Sequence, residues 1–341
     1  MKVLHIANFS PIIPNGIKSV LDQILPIQKK TNEIELMNLR EKIFSINLKK
    51  DLIIFHGVYN IKYLFLYNKI KQNKTPYIII PHCSLTKISL NQSKFKKKVF
   101  NYFAKKFYAD ALAIGFLNEE ERENSIEVNK NYIYLPNGVN LPKKIEKLSK
   151  DKSEISIMYL SRIDIYHKGV DLFLEALGLI KSELLNKKIK INIYGDGNNK
   201  NMKFFYNKIK ELEIGDIINY NGRVENIKKE KAFLENDIFI LTSRFEGFPI
   251  AILEALSYGI PCILTEGTNM KSMIQKYGSG WICEGESKKI SEKILEAIND
   301  YKNNRSRYIE NSLKNSEDYE LKKVVNKQIL IYESLLKKSK V

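Results

Sequence analysis

The chain contains 341 residues, 44% of them hydrophobic, and carries a formal net charge of +17 at pH 7. This length exceeds that of a single typical core, so two domains are expected. No apolar stretch approaches the ~18–20 residues of a membrane-spanning helix, and the first residues have the pattern of a strand and no signal-peptide layout. The cysteines Cys83, Cys262 and Cys283 lack the spacing of metal ligands and are predicted to be buried thiols in a reducing cytoplasm.

The positive charge is concentrated in the first part of the chain. Residues 1–145 carry 23 Lys and Arg against 11 Asp and Glu, which accounts for +12 of the total of +17. Such an excess favours an anionic partner: nucleic acid, anionic lipid or a phosphorylated acceptor. AT-rich coding produces a similar composition, so the charge alone does not identify a partner. Nucleic-acid binding is disfavoured because the sequence has no zinc pattern, RNP motif or recognition-helix pair.

Short apolar runs alternate with helical patterns, which predicts parallel sheets in an α/β architecture. In the first half, strands are predicted at residues 3–8, 52–56, 77–80, 111–116 and 132–135. A second series is predicted at residues 155–160, 189–194, 217–221, 237–242, 261–265 and 281–283. Helices are predicted between them, for example at 170–185 and 224–235, and an amphipathic helix is predicted from Tyr319 to Leu336. A Lys-rich stretch from Val139 to Ser153 is interpreted as a linker between two doubly wound domains.

Glu246 and Glu254 form the most informative pattern of the chain. Glu246 follows an apolar run that reads as a buried strand, and Pro249 is expected near the first position of a helix that carries Glu254. The amides at a helix N-terminus make a ready anion site. Two carboxylates on either side of such a site suit a ligand with hydroxyls at both ends and phosphates in the middle, which is the shape of a nucleotide-sugar.

Other strand ends carry weaker signals of the same kind. Arg162 and Lys168 follow the predicted strand at 155–160 and together could neutralise a diphosphate without a metal, although a solvated charged loop is the alternative. Further candidates at strand ends are Gly16, His82, Gly195, Gly222, Arg223 and Val224. A lone histidine or a single glycine is more often structural than functional. Their shared position at strand carboxyl ends favours one ligand cleft.

The motifs together resemble retaining glycosyltransferase family 4, a group with the GT-B fold. The resemblance rests on Glu-Gly-Phe-Pro-x3-Leu-Glu-Ala-x3-Gly-x-Pro around Glu246 and Glu254, and on Ser-Arg-x5-Lys-Gly at Arg162 and Lys168. Tyr-Gly-Asp-Gly at Gly195, Asn-Gly-Arg-Val at Gly222 and Leu-Pro-Asn-Gly-Val ending at Val139 are similar to family landmarks in the expected order. The match is close in the second half and loose in the first.

What the resemblance implies is two Rossmann-like domains that face each other across a cleft. Residues 1–145 would form the acceptor-side domain, 146–318 the nucleotide-sugar domain, and 319–341 a terminal helix that crosses back to the first domain. The donor would be a nucleotide-sugar, expected to be UDP-linked, and the acceptor a glycan or a lipid-linked sugar of bacterial surface polysaccharide. Enzymes of this type need no metal and no cofactor. An epimerase or phosphorylase with the same fold remains the alternative.

The resemblance also assigns a role to each matching position. Arg162 and Lys168 would bind the diphosphate, Glu254 the ribose hydroxyls, and Glu246 the transferred sugar. Gly16 would cap the phosphate and His82 would lie beside the sugar, with Glu246, His82, Arg162 and Lys168 forming the catalytic set. The remaining donor contacts would come from Gly195, Gly222, Arg223, Val224, Gly247, Phe248 and Ile250.

Three positions depart from the family pattern. The usual glycine pair of the first loop is Asn15-Gly16 here, and Ser161 replaces the customary glycine before Arg162. Cys83 stands where a glycine commonly follows the histidine.

The segment from Lys94 to Phe107 is a second candidate surface. Phe95, Val99, Tyr102, Phe103 and Phe107 share one face of a predicted helix, and its six lysines lie mostly on the other face. A basic amphipathic helix with aromatic residues can lie in a membrane interface. The alternative is a helix that covers the sheet and exposes only its lysines. We therefore expect a cytoplasmic protein that associates peripherally with the inner face of the cell membrane.

Overall fold

The computed structural model describes residues 1–10, 16–40, 47–91, 93–143, 145 and 155–339. These fall into two units, Met1–Gly138 together with the segment from Leu321 onward, and Val139–Glu320. The predicted boundary at 145/146 and most of the predicted linker fall on residues 144 and 146–154, which lie outside the described residues.

The first unit contains a six-stranded parallel sheet. Its strands are Lys2–Ala7 (β1), Glu33–Asn38 (β2), Leu52–His56 (β3), Tyr77–Ile80 (β4), Ala113–Phe116 (β5) and Tyr132–Tyr134 (β6). They are arranged in the order β2-β1-β3-β4-β5-β6. The prediction omitted β2, because this edge strand alternates Glu33 and Glu35 with apolar residues instead of forming the continuous apolar run of a buried parallel strand.

Helices cover this sheet and supply its core. They are Gly16–Gln28 (α1), Ile61–Gln72 (α2), Lys87–Asn91 (α3), Lys94–Ala109 (α4) and Glu119–Glu123 (α5). At the centre of the core, the ring of Phe55 meets those of Tyr63, Tyr77 and Phe107 edge-on, with centroids 5.0–5.7 Å apart. This geometry is the one that aromatic quadrupoles favour.

The second unit contains another six-stranded parallel sheet. Its strands are Ser156–Leu160 (β7), Lys190–Tyr194 (β8), Ile218–Tyr220 (β9), Ile238–Leu241 (β10), Cys262–Thr265 (β11) and Gly280–Cys283 (β12). They are arranged in the order β12-β11-β10-β7-β8-β9. Every strand predicted in this half is present. The central strands β7, β10 and β11 are largely apolar and buried at every residue, which gives them continuous apolar runs, whereas the edge strand β9 has no buried residue.

The helices of the second unit include one departure from the prediction. They are Val170–Leu179 (α6), Lys181–Asn186 (α7), Asn199–Glu211 (α8), Asn226–Leu234 (α9), Ile250–Ser257 (α10), Lys271–Tyr277 (α11) and Ser287–Asp318 (α12). The predicted helix at 170–185 is interrupted at Ile180, whose backbone (φ −121°) is not helical. The long α12 is kinked at Asn304.

The last helix, Leu321–Lys338 (α13), belongs to the first unit. Leu321 and Val325 pack with Leu21 and Ile24 of α1 in a small apolar cluster. None of the described helices is long and apolar enough to cross a membrane. All three cysteines are buried free thiols, as predicted.

Candidate active site

The strand order of the second unit reverses between β7 and β10. The chain proceeds from β7 to β8 and β9 on one side, then returns to β10 and continues to β11 and β12 on the other. In open parallel sheets such a switch point leaves a crevice at the carboxyl ends of the strands, where ligands bind. Lys168 follows β7 and Glu246 follows β10, so both predicted residues lie at the switch point.

Glu246 is a buried carboxylate that is held from several sides. Its Oε1 atom lies 2.5 Å from Lys168 Nζ and accepts a hydrogen bond from Ser243 Oγ at 2.7 Å. Its backbone is fixed by a hydrogen bond from its amide to Gly267 O and by one from Asn269 Nδ2 to its carbonyl. The exposed fractions are only 16% for the Lys168 side chain and 10% for that of Glu246. The pair is therefore a nearly buried ion pair in a fixed position.

His167 connects this ion pair to Arg162. Its ring stacks on Phe245 at a centroid distance of 4.3 Å, with Nε2 3.8 Å from Glu246 Oε2 and Nδ1 3.4 Å from Arg162 Nη2. Burial lowers the pKa of His167 below its ordinary value, and the attraction of Glu246 only partly opposes this effect. The imidazole is thus neutral at pH 7, and Lys168 is the cation that balances Glu246.

The backbone of the Lys168 loop has little freedom. Gly169 has φ +61°, and a Cβ atom there would lie 2.0 Å from Thr242 O. Thr242 Oγ1 donates to Gly169 O at 3.0 Å, and the guanidinium of Arg244 binds both carboxylate oxygens of Asp171 at 2.7–2.8 Å. Because these contacts join the loops after β7 and β10, Lys168 and Glu246 are positioned together.

Glu254 lies in a separate environment on α10. This helix has Pro249 as its N-cap and begins at Ile250, so Glu254 is about one turn inside it, as predicted. Its carboxylate is 2.6 Å from Lys229 Nζ of α9, and the two side chains are 23% and 31% exposed. Glu254 is therefore accessible to a ligand, and Lys229 beside it is a cation that was not predicted as a site residue.

The glycine loops after β8 and β9 adjoin each other. Gly195 has φ +144° and donates its amide to Gly222 O at 2.8 Å, and a Cβ atom on Gly195 would lie 1.8 Å from Ser161 O. Gly222 has φ +65° with open space around it. Arg223 is exposed and pairs with Glu225, and Val224 is partly buried. Of the two predicted glycines, Gly195 is required by close packing, whereas Gly222 is favoured by its left-handed φ.

The residues between the two glutamates differ in exposure. Phe248 is 6% exposed and its ring lies 5.5 Å from that of Tyr319, so its side chain belongs to the core of the unit. Gly247 and Ile250 are partly exposed. Any ligand contact by Phe248 would therefore use its backbone and not its ring.

Two predicted site residues, Gly16 and His82, belong to the first unit. Gly16 is the exposed first residue of α1, and Asn15 before it lies outside the described residues. His82 follows β4 in a left-handed backbone conformation (φ 49°), and Cys83 continues it (φ 63°). The buried Glu121 carboxylate holds this turn, since it accepts hydrogen bonds from Cys83 N at 2.5 Å and Leu117 N at 2.7 Å.

His82 is the outer member of a line of hydrogen-bonded side chains that we call the histidine chain: Gln28, His5, His56 and His82. Gln28 Oε1 is 2.9 Å from His5 Nε2, His5 Nδ1 is 2.9 Å from His56 Nε2, and His56 Nδ1 is 3.0 Å from His82 Nε2. His5 lies inside β1 and was not among the predicted site residues. The chain was missed because its members are 23, 51 and 26 residues apart.

Comparison with known proteins places these residues in a family. The family model described as "Glycosyl transferases group 1" matches residues 141–315. The chain belongs to this family. It is therefore a glycosyltransferase, and its two parallel sheets are those of the GT-B fold.

Three similar proteins illustrate the relationship. An uncharacterised 41.2 kDa protein of the cps region of Klebsiella pneumoniae is 25% identical over 267 residues, which cover 74% of this chain and 70% of that protein. An Escherichia coli UDP-Gal:α-D-GlcNAc-diphosphoundecaprenol α-1,3-galactosyltransferase is 28% identical over 162 residues, covering 44% and 40%. The structure of HepE from Anabaena in complex with UDP covers 98% of this chain and 100% of its own, with 16% identity and a TM-score of 0.76.

Several residues around the site had no part in the prediction. Ser243 stands in the loop after β10, and this position at the carboxyl end of a strand is a signal that could have identified it. Asn269 and Lys229 come from other elements and left no signal in the sequence. Within the described ranges, no group of three or more His, Cys, Asp or Glu side chains could hold a metal ion.

Proposed function

We propose that the protein is a retaining, metal-independent glycosyltransferase that moves a sugar from a UDP-sugar to a glycan or lipid-linked acceptor of bacterial surface polysaccharide. The observation that carries this proposal is the Lys168–Glu246 pair at the switch point, with Arg162 attached through His167. A cation that is held ready beside a buried carboxylate suits a ligand in which a phosphate adjoins a sugar.

The donor diphosphate is bound by Arg162 and Lys168. Arg162 is more than half exposed (55%) and offers a forked donor, and Lys168 supplies a point charge. As the bond between the sugar and the phosphate breaks, negative charge grows on the leaving phosphate, and fixed cations stabilise that charge without a metal.

The rest of the donor extends from this point towards both glutamates. Glu254 accepts hydrogen bonds from the two ribose hydroxyls, because a carboxylate has lone pairs enough for both. The loop from Gly222 to Val224 lies near the base, and Gly195 allows close backbone approach. Glu246 positions the transferred sugar, and Gly16 and His82 keep the phosphate and sugar contacts that the family resemblance implies.

Retention follows from attack on the face that the phosphate leaves. The acceptor oxygen forms the new bond to the anomeric carbon, the bond to the phosphate oxygen breaks, and the departing phosphate takes the acceptor proton. Glu246 is assigned to positioning and not to covalent attack, because its Oε1 atom is already engaged by Lys168 and Ser243.

The acceptor class is supported by the relatives. One is encoded in a cps region, and another is named as acting on a sugar linked to diphosphoundecaprenol. An acceptor of this kind would bring the enzyme to the inner face of the cell membrane.

The helix α4 has a surface that fits this location. Phe95, Tyr102 and Phe103 are 68–78% exposed and Val99 is 42% exposed, whereas Phe107, which was predicted to share their face, is buried at 1%. The buried side of α4 consists of Ala104, Phe107 and Tyr108, so the helix covers the core with one side and exposes aromatic residues on another. Exposed lysines flank these aromatic residues, an arrangement that suits an anionic lipid interface.

Flotation with anionic vesicles tests the membrane contact. We choose Lys96→Glu/Lys98→Glu and leave Lys97 unchanged, because Lys97 Nζ donates to Ser89. Binding to phosphatidylglycerol vesicles should fall about 30-fold or more, since each lysine contributes ~1 kcal/mol near such a surface. The same charge change in Lys200→Glu/Lys203→Glu, on α8, is the control. Equal binding by both variants would refute the contact.

The catalytic proposal is tested with a panel of nucleotide-sugars and membrane-extracted acceptors in the presence of EDTA. We expect transfer from a UDP-sugar that persists on chelation and gives a product with the anomeric configuration of the donor, read by NMR. Loss of activity with EDTA would refute the metal-free mechanism, and an inverted product would refute retention. Interconversion of epimeric donors, or phosphorolysis of a glycan, would instead assign the site to the alternative class.

A further inference from the structure

The histidine chain places polar side chains inside the first unit, where burial of a polar group is unfavourable unless the group is hydrogen-bonded. Gln28, His5 and His56 are 1%, 0% and 3% exposed. The rings of His5 and His56 are tilted by 19° with centroids 5.2 Å apart, and those of His56 and His82 by 27° and 5.3 Å. At the nitrogen–nitrogen distances of 2.9 and 3.0 Å, these are rings joined edge to edge by hydrogen bonds.

All three imidazoles are neutral at pH 7. Burial lowers the pKa of His5 and of His82 to about 4, and lowers that of His56 well below its ordinary value. A neutral imidazole has one nitrogen that donates and one that accepts. A line of such rings therefore has a direction, and whatever fixes the first ring fixes the last.

Gln28 is the group at the inner end. Its Oε1 atom is directed at His5 Nε2, which must then carry the proton. His5 Nδ1 accepts in consequence, so His56 donates from Nε2 and accepts at Nδ1. His82 then donates from Nε2, and its Nδ1 atom is left as an acceptor.

Reversal of the Gln28 amide would reverse every one of these hydrogen bonds. Among the described residues, Gln28 Nε2 is buried without a hydrogen-bond partner, so the bond to His5 is the hydrogen bond that this side-chain amide makes. The direction of the chain is therefore set by which amide atom faces His5, and in this structure Oε1 faces it.

We propose that Gln28, acting through His5 and His56, holds His82 in the Nε2–H tautomer and so makes its Nδ1 atom a hydrogen-bond acceptor for a hydroxyl of the bound sugar. The sugar contact rests on the proposed function of His82, whereas the tautomer does not. Gln28, His5 and His56 are then positioning residues, and they select a sugar hydroxyl that donates a hydrogen bond.

The tautomer is measured directly by two-dimensional NMR of protein labelled with 15N-histidine, since protonated and bare ring nitrogens have well-separated shifts. The signals are assigned by the loss of one ring in each of His5→Phe, His56→Phe and His82→Phe. In the unmodified protein His82 should be protonated on Nε2. Protonation on Nδ1 would overturn the proposal without the need for any variant.

Two substitutions of Gln28 then test the cause. Gln28→Glu keeps an acceptor towards His5 and should preserve the Nε2–H tautomer of His82. Gln28→Met removes the acceptor and should transfer the His82 proton to Nδ1, because a buried ring N–H without a partner is costly. Gln328→Met is the matched control, since Gln328 is also buried in the first unit but bonds to Pro136 O. An unchanged His82 signal in Gln28→Met would refute the role of Gln28.

Kinetic measurements distinguish the tautomer of His82 from its contact with the sugar. In Gln28→Met we expect kcat to fall about tenfold, as for one lost hydrogen bond to the transferred sugar, while UDP affinity is unchanged. Restored kcat in Gln28→Glu would support the tautomer as the cause. A change of the His82 tautomer without a change in kcat would refute the sugar contact of His82. Absence of any transfer activity in the unmodified enzyme would refute the proposed function, but the NMR test of the tautomer would still apply.

Discussion

Replacing Lys168 by methionine should separate two roles of the Lys168–Glu246 ion pair. Without a ligand, the lysine balances a buried carboxylate at 2.5 Å, and with a donor bound we propose that it also contacts the diphosphate. Removal of one partner of a fully buried pair costs about 3–5 kcal/mol, and an exposed pair contributes about 0.2–1 kcal/mol. Because the Lys168 and Glu246 side chains are 16% and 10% exposed and Ser243 remains as a donor, we expect a loss of about 2 kcal/mol for Lys168→Met.

The double variant Lys168→Met/Glu246→Gln tests the source of that loss. With both charges removed, stability should return to within about 1 kcal/mol of the unmodified protein, because a neutral amide needs no cation and still accepts from Ser243. Affinity for UDP should stay about 10–100-fold lower in both variants, since a hydrogen bond to a charged group is worth about 1.5–3 kcal/mol. Glu246→Gln alone should bind UDP at least as well as the unmodified protein but turn over more slowly.

Chemical denaturation and calorimetric titration with UDP provide the two measurements. Lys181→Met is the control, because Lys181 forms a more exposed pair with Asp216 in the same unit. UDP binding by Lys168→Met that equals that of the control would refute the diphosphate contact. A double variant as unstable as Lys168→Met would show that the charge balance is not the source of the stability.

Three further predictions concern the ribose, the backbone and the pH. The unmodified protein should bind UDP about tenfold more tightly than 2′,3′-dideoxy-UDP, measured by calorimetric titration. Glu254→Ala should bind the two nucleotides equally. A preference for UDP that remains in Glu254→Ala would refute the ribose contact. Gly222→Ala should lower the free energy of unfolding by ~1–2 kcal/mol because of its left-handed φ alone. Gly195→Ala should lower it by about 3–4 kcal/mol, because its Cβ atom would also meet Ser161 O. Equal losses in the two variants, measured by chemical denaturation, would refute this packing argument. In the unfolded chain the histidines are protonated near pH 6.5, but in the folded protein the pKa values of His5 and His82 are about 4, so the first unit should lose stability as the pH falls through that window. Burial raises the pKa of Glu121 to about 7, so proton uptake by the folded Glu121 opposes this loss of stability. In Glu121→Gln, denaturation at successive pH values should therefore show a free energy of unfolding that falls more steeply, by about 1.4 kcal/mol per pH unit. A slope equal to that of the unmodified protein would contradict this role of Glu121.

The sequence was most informative where burial leaves a continuous apolar run. The central strands of both sheets are buried on both faces, so their positions and the loops at their carboxyl ends could be predicted. The edge strand β2 could not, because its exposed side alternates glutamates with apolar residues. The same reasoning placed Glu246, Lys168 and Arg162 after strands of the second series, but it could not show that His167 lies between Arg162 and the ion pair.

Contacts between residues far apart in the chain were beyond the reach of periodicity. Lys229 reaches Glu254 across 25 residues, and the histidine chain joins a helix end, two strands and a loop. In each case the local pattern is that of an ordinary surface or strand residue. Only the packing of the sheet brings these side chains together, so the sequence showed His82 as a lone histidine.

Cys83 shows how a departure from a family pattern acquires a physical reason. The glycine common at this position suits the backbone observed here, because His82 and Cys83 both adopt the left-handed conformation (φ 49° and 63°), which costs roughly 1–2 kcal/mol for each residue other than glycine. The compensation comes from Glu121, whose buried carboxylate accepts the amide hydrogen bonds of Cys83 and Leu117. Glu121 is itself fixed on α5, where its amide donates to Asn118 at 2.7 Å. The strained turn is therefore maintained by a neighbouring helix, and the position of His82 depends on a carboxylate 38 residues further along the chain from Cys83.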